Sequence, residues 1–232
     1  LKSGSIWNGE WLWPKGSGTA DAPIKIDKYG GDALPVINGM GIDRGMNYSG
    51  AVHLRNQEYW EIRNLEVTND DDFDVDIDLS RPQGDNSWSS QAETRNGILI
   101  IADGDLLNDG DDGIFNHIYI ENCYVHDVDG PNDWNDTFTG GIIYNVVGTK
   151  IRPNTSFRDI RIAYNTIRKV DLLGITGFVQ MAKSGYQDDV DTYNLWMEDI
   201  YIGHNYIEDV AQGGIDLCDA RNAVSYTHLR AH

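Results

Sequence analysis

Carboxylates recur at fixed offsets along this chain, and paired carboxylates are common equipment for acid–base chemistry. Asp129 and Asp171 close two similar phrases, His126-Asp-Val-Asp and Arg168-Lys-Val-Asp. If those phrases stack, the two carboxyl groups stand about 4.8 Å apart, close enough for one to hold its proton. Carboxylates near that spacing suit a retaining glycosidase, and wider pairs an inverting one. Lys169 falls in a column with Asp127 and Asp209, a ladder of alternating sign, and a second acidic pair, Asp216 and Asp219, follows the last Gly-Gly-Ile. Turn formation and solvent-facing charge ladders are the alternative use of every one of these residues. Abstraction of a proton beside a uronate carboxylate would instead need a basic side chain, for which Arg95, Arg168 and Lys169 are the candidates.

Two acidic knots invite a cation. Asp74, Asp76 and Asp78 alternate with Val75 and Ile77, so an extended segment presents its carboxylates on one side. Asp103 and Asp105 open the second knot, DGDLLNDGDD. Hard oxygen ligands with glycine freedom suit calcium, the one cofactor these residues suggest, although neither knot has the spacing of an EF-hand loop. The alternative is a solvated acidic loop. Trp88, Trp134, Tyr186 and Tyr193 lie on polar insertions and offer stacking surfaces for sugar rings, with Arg95 counted beside them as a substrate-binding residue. Trp7, Trp11 and Trp13 read as a packed cap before a sugar platform. His126 and His204 lie beside aligned strands, while His53 and His117 show no partner in sequence.

Something must hold these groups in columns, and a repeat does so. FNHIYIENCYVHDVDG, FRDIRIAYNTIRKVDLLGITGF and MEDIYIGHNYIEDVAQGGIDL restate one pattern, with YWEIRNLEVTND as a looser copy upstream. A period of about 40 residues marks an architecture whose units bury apolar faces only by stacking on their neighbours. Ile118/Ile120, Ile160/Ile162 and Ile200/Ile202 alternate with polar residues, the period of a strand, and the apolar pulses that follow are too short for helices. Asn165 and Asn205 read as left-handed corners, and Gly-Gly at 140–141 and 213–214 as corners before the next strand. No Asn-Gly or Asp-Gly forms a two-residue link joining two of these strands, which argues against hairpins and a propeller. Insertions at 69–96, 130–139 and 179–194 follow the same strand region or the next, so they are expected to wall a shared cleft.

Strands joined by corners and closed by Gly-Gly-Ile resemble the right-handed parallel β-helix repeats of pectate-lyase-like carbohydrate-active proteins. The resemblance runs from about Trp60 to Leu217, and PKGSGTADAPIKIDKYGGDALPVING resembles a first turn of such helices. It implies an all-β, right-handed parallel β-helix, expected to be incomplete at both ends, and a secreted or cell-surface protein. β-Helix lyases use calcium with Arg or Lys, but no complete lyase motif surrounds the basic candidates here. Gln187-Asp188-Asp189 and Gly203-His204 resemble pieces of polygalacturonase motifs without the Arg-Ile-Lys, so no catalytic role is carried over.

Eighteen basic against 37 acidic residues give a net charge of −19. That balance argues against nucleic-acid and anionic-membrane partners. No apolar run is long enough to span a membrane. Cys123 and Cys218 fall among apolar strand residues and read as buried free thiols. Residues 1–223 are expected to form one domain; VSYTHLRAH at 224–232 resembles one reading frame of a transposase sequencing adapter and is expected to be a non-native tail that breaks the repeat. The sequence thus suggests a polysaccharide or oligosaccharide lyase or glycoside hydrolase, monomeric when full length. A non-catalytic carbohydrate-binding or adhesion solenoid is the alternative.

Overall fold

Period-two alternation over a few residues, broken by sharp bends, builds short strands that have no hairpin partner and must pair with the next copy of themselves. The computed structural model describes residues 1–42, 49–70, 95–108, 110–130, 139–148, 155–181 and 196–230. In chain order its strands are β1 (Ile6–Asn8), β2 (Ile24–Ile26), β3 (Val36–Asn38), β4 (Ser49–Arg55), β5 (Trp60–Arg63) and β6 (Glu66–Asn69). They continue with β7 (Arg95–Asp103), β8 (Ile114–Glu121), β9 (Tyr124–Val128), β10 (Gly140–Gly148), β11 (Ser156–Ala163) and β12 (Thr166–Val170). The last are β13 (Leu173–Met181), β14 (Met197–Val210), β15 (Gly213–Leu217), β16 (Ala220–Arg221) and β17 (Val224–Arg230).

These strands stack into a parallel β-helix with three faces. The first face is β2-β5-β8-β11-β14, the second β1-β3-β6-β9-β12-β14, and the third β4-β7-β10-β13-β15. The long β14 runs through both of the first two faces, which joins them into one sheet. Strand pairing is parallel throughout the described residues, apart from an isolated Thr19–Ala22 bridge. No described helix is long and apolar enough to cross a membrane.

Register turns the repeat into columns. Trp60, Ile118, Ile160 and Ile200 are consecutive partners, as are Ile62, Ile120, Ile162 and Ile202, and all are buried. Val67, Val125, Ile167 and Ile207 form the matching column of the second face, and Val52, Ile98, Ile142, Ile175 and Ile215 that of the third. Each rung leaves apolar surface that only the next rung covers, so burial and stacking are one event.

Two corner assignments change. The left-handed residues precede the expected asparagines: Tyr164 and His204 have φ of 60° and 58°, and Asn64 and Asn122 hold the same corner in earlier rungs at 54° and 55°. Asn165 and Asn205 instead point inward, where Asn165 N and Nδ2 donate to Asn205 Oδ1 at 2.9 and 3.0 Å and Cys123 N donates to Asn165 Oδ1 at 2.9 Å. A buried amide needs every polar atom engaged, and stacking on an identical amide supplies that. The Gly-Gly pairs lie inside strands. A Cβ at Gly97 would meet Val125 Cγ1 at 2.4 Å, and one at Gly141 would meet Ile167 Cγ2 at 2.8 Å. These glycines let the third face approach the apolar column of the second.

Val224–Arg230 pairs in parallel with β14, whose open edge offers hydrogen-bonding groups to any extended segment. The side chains do not continue the pattern, since Ser225 is the partner of Ile202 and Tyr226 is exposed. Both cysteines are free, but only Cys123 is buried. Cys218 follows Leu217, and alternation turns it outward.

Candidate active site on the outer face of the third sheet

The sequence runs Gly97-Ile-Leu-Ile-Ile-Ala and Ile142-Ile-Tyr-Asn-Val-Val are apolar with little alternation, the mark of strands covered on both faces. The third sheet bears this out. Its outward residues include Leu99, Ile101, Ile143 and Val147, which with Leu172 and Leu173 form a second buried cluster outside the helix core. The segments at 43–48, 71–94 and 131–138 leave where the second face meets the third, and 182–195 leaves from the far edge of the third. Insertions therefore depart from both edges of this sheet. Trp88, Trp134, Tyr186, Tyr193, Asp74, Asp76 and Asp78 lie outside the described residues.

Polar side chains flank the apolar middle of this face. His53, Leu99, Ile143, Thr176 and Asp216 form one outward column, and Arg55, Ile101, Asn145 and Phe178 its neighbour. At the Asp216 end, Asn145 is 1% exposed, Thr176 2% and Phe178 8%. Asn145 Oδ1, Thr176 Oγ1 and Asp216 Oδ2 are buried with no hydrogen-bond partner among the described residues. Burial raises the Asp216 carboxyl above the usual aspartate range. Its Oδ2 lies where a Cβ on Gly213 would be 2.8 Å away, so the carboxyl leans over that glycine. Buried polar atoms are normally paired. Several unpaired ones aimed onto one face beside a desolvated acid suit a polar ligand.

At the other end His53 is 0% exposed and neither ring nitrogen is hydrogen-bonded to a described residue. Trp13 stacks on it with centroids 4.9 Å apart, and burial, then Arg55 and Lys15, lower its pKa to about 3. Trp13 also meets Trp11 and carries Lys15 Nζ 3.1 Å from its ring centroid, while Trp7 packs on the helix core. These tryptophans are packing elements.

The other expected residues are placed as follows. Asp171 lies at the corner leading into β13; its Oδ2 accepts from Gly130 N at 3.0 Å. Asp129 holds the equivalent corner one rung earlier, its N donating to Asn69 O at 3.3 Å. Asp219 has φ of 50°, accepts from Val179 N at 3.0 Å through Oδ2 and from Met197 N at 2.9 Å through its carbonyl, tying β13 to β14. Lys169 Nζ is 3.5 Å from Asp127 Oδ1, the ladder read from the repeat. Asp209 continues that corner at φ of 54° and faces Arg168 at 4.0 Å. Arg168 is ion-paired to Glu208, and Arg95 Nε donates to Gly41 O at 2.9 Å.

Asp103 is enclosed. Arg55 pairs with its Oδ2, Asp105 N donates to its Oδ1 at 2.9 Å, and its own N donates to Asn56 Oδ1 at 2.6 Å. Asp105 stands in the short 3-10 turn that follows. Among the described residues no three His, Cys, Asp or Glu side chains gather as a cation site.

Of the expected catalytic residues, the geometry thus singles out Asp216. Asn145, Thr176, Phe178 and His53 were missed from sequence. Their signal was the non-alternating strand, which reveals that the outer face is covered but not which polar residue in it lacks a partner.

No family model matches the chain. It is 27% identical over 270 residues to a lacto-N-biosidase of Bifidobacterium longum subsp. longum, a match covering 94% of this chain and 16% of that protein. Crystal structures of a GH136 lacto-N-biosidase from Eubacterium ramulus resemble it at 22% identity. The selenomethionine form has a TM-score of 0.70 over 93% of this chain and 36% of that one. The native form gives 0.67 over 90% and 35%. The chain therefore spans about a sixth of the curated relative's length and about a third of the solved chain. Likeness at this identity supports the β-helix fold.

Proposed function

We propose that this chain is the β-helix part of a glycoside hydrolase of the lacto-N-biosidase kind, in which Asp216 protonates the glycosidic oxygen. The observation that carries it is the Asp216 carboxyl, its pKa raised by burial and its Oδ2 buried and unpaired among the described residues, with Thr176 as its register partner on the outer face of the third sheet. A general acid needs a carboxyl whose pKa is raised, and burial acts on Asp216 in that direction. The names of the similar proteins favour hydrolysis over elimination, and the three basic candidates for a lyase are already engaged by Gly41, Glu208 and Asp127. A hydrolase also needs a second carboxylate as nucleophile or base. Asp209 and Asp219 bracket β15 and are the first to test. The substrate is an oligosaccharide ending in a lacto-N-biose unit, met outside the cell.

The test compares wild type with Asp216→Asn on such an oligosaccharide and on its p-nitrophenyl glycoside. Loss of the acid is expected to slow the oligosaccharide by about 10²–10⁴-fold. The aryl glycoside, whose leaving group needs no proton, should suffer far less. Equal oligosaccharide rates in both proteins, or a wild-type chain that neither cleaves nor binds the sugar, overturn the reading.

A further inference from the structure

Thr176 is the register partner of Asp216 across β13 and β15, so both side chains stand on the same outer face. Partner positions on adjacent strands are about 4.8 Å apart, within one side-chain rotation of a hydrogen bond. Yet Thr176 Oγ1 and Asp216 Oδ2 are both buried and both unpaired among the described residues. Asp216 leans the other way, into space that exists because residue 213 is glycine. A Cβ there would lie 2.8 Å from Oδ2 and 3.3 Å from the carboxyl carbon. Gly213 has no positive φ, so space is what it supplies. The carboxyl occupies a berth over Gly213; a side-chain rotation toward its register partner would give it a second, facing the Thr176 hydroxyl.

The groups around it do not supply this function. On its own strand and the turn after it, Cys218 and Asp219 are the titratable neighbours. Asp219 already accepts from Val179 N. At the corner between the second and third faces, Asp171 accepts from Gly130 N and Asp209 faces Arg168. Thr176 is the uncharged donor opposite.

We propose that Thr176 is the positioning residue for Asp216. Its hydroxyl donates to the ionised carboxylate and leaves the protonated carboxyl to rest over Gly213. The two berths then serve the two halves of a hydrolytic cycle. Over Gly213 the neutral acid is poised to give up its proton; against Thr176 the carboxylate is held as the base that takes a proton from water. The proton lost to the leaving oxygen is regained from that water, so the cycle balances. This rests on the reading of Asp216 as the acid.

A donor to the ionised form lowers a carboxyl pKa, and removing that donor raises it. The test is a carbon-13 carboxyl titration of aspartate-labelled full chain, with the Asp216 resonance assigned by its absence in Asp216→Asn. Thr176→Val is expected to raise the Asp216 midpoint by about one unit. Thr176→Ser, which keeps the hydroxyl, should stay close to wild type. Gly213→Ala, which fills the other berth, should lower the midpoint. Unchanged titration in Thr176→Val, or a shift in Thr176→Ser as large as in Thr176→Val, overturns the proposal. Hydrolysis by Asp216→Asn is measured separately, so failure of the acid assignment and failure of this coupling give different results.

Discussion

A histidine enclosed by tryptophan, with neither nitrogen hydrogen-bonded to a described residue, is a ring the fold accepts only when neutral. His53 has a folded pKa of about 3 against an ordinary 6.5, lowered first by burial and then by Arg55 and Lys15. The folded state thus binds the proton less readily than the unfolded chain. His53's contribution is fully present above pH 6.5 and is lost progressively as pH falls toward 3. His53→Phe keeps the stacked ring and removes the titration. Urea midpoints of wild type and His53→Phe are expected to diverge below pH 6.5, wild type losing stability more steeply. Parallel pH profiles would show that His53 is not the group responsible. None of this was legible in the sequence, where His53 shows no partner. Its isolation depends on Trp13, forty residues earlier in the chain, and no local pattern encodes that contact. The Asp127–Lys169 ladder was legible, because both partners sit at the same offset of one repeat.

Elements in this fold are specified by what must be small as much as by what must be apolar. Gly97 lies where the third face crosses the column of Val125, with a would-be Cβ 2.4 Å from Val125 Cγ1 and 2.7 Å from Gly141 O. Gly97→Ala therefore overpacks the interior, at a cost of about 1–3 kcal/mol. Val125→Ala alone opens a cavity. Together they should cost less than their sum by more than about 0.5 kcal/mol, because the new methyl occupies part of the vacated space. Relief is incomplete, since the Gly141 carbonyl remains. Strict additivity in urea unfolding would mean that the backbone, and not Val125, sets the limit. The Gly-Gly-Ile signature was readable as a recurring phrase, but its meaning was not. Glycine at a corner and glycine at a close approach look alike in sequence. The asparagines carry the same ambiguity: the left-handed residue is Tyr164 or His204, and Asn165 and Asn205 are the buried ladder beside it.

At the scale of the molecule, stability in a stacked helix is a sum over rungs and their interfaces, so position along the axis decides what a substitution costs. Ile162 is 0% exposed and has register partners on both sides, Ile120 and Ile202. Ile26 occupies the same inward column with Ile62 as its one partner among the paired strands, and it is only partly buried. Ile162→Ala should cost about 4 kcal/mol and Ile26→Ala well under half of that, although the deletion is chemically identical. Amide exchange should show the same grading, slowest in β8 and β11 and faster toward β2 and β17. β17 is the sharper case, because it hydrogen-bonds to β14 while placing Ser225 opposite Ile202 and leaving Val224 and Tyr226 exposed. Backbone pairing without apolar burial gives little net stability. Truncation after Ala223 is therefore expected to leave the urea midpoint nearly unchanged while baring the β14 edge, which should appear as concentration-dependent association in sedimentation. A large fall in midpoint on truncation, or uniform protection from β2 to β17, would mean that the rungs unfold as one cooperative block.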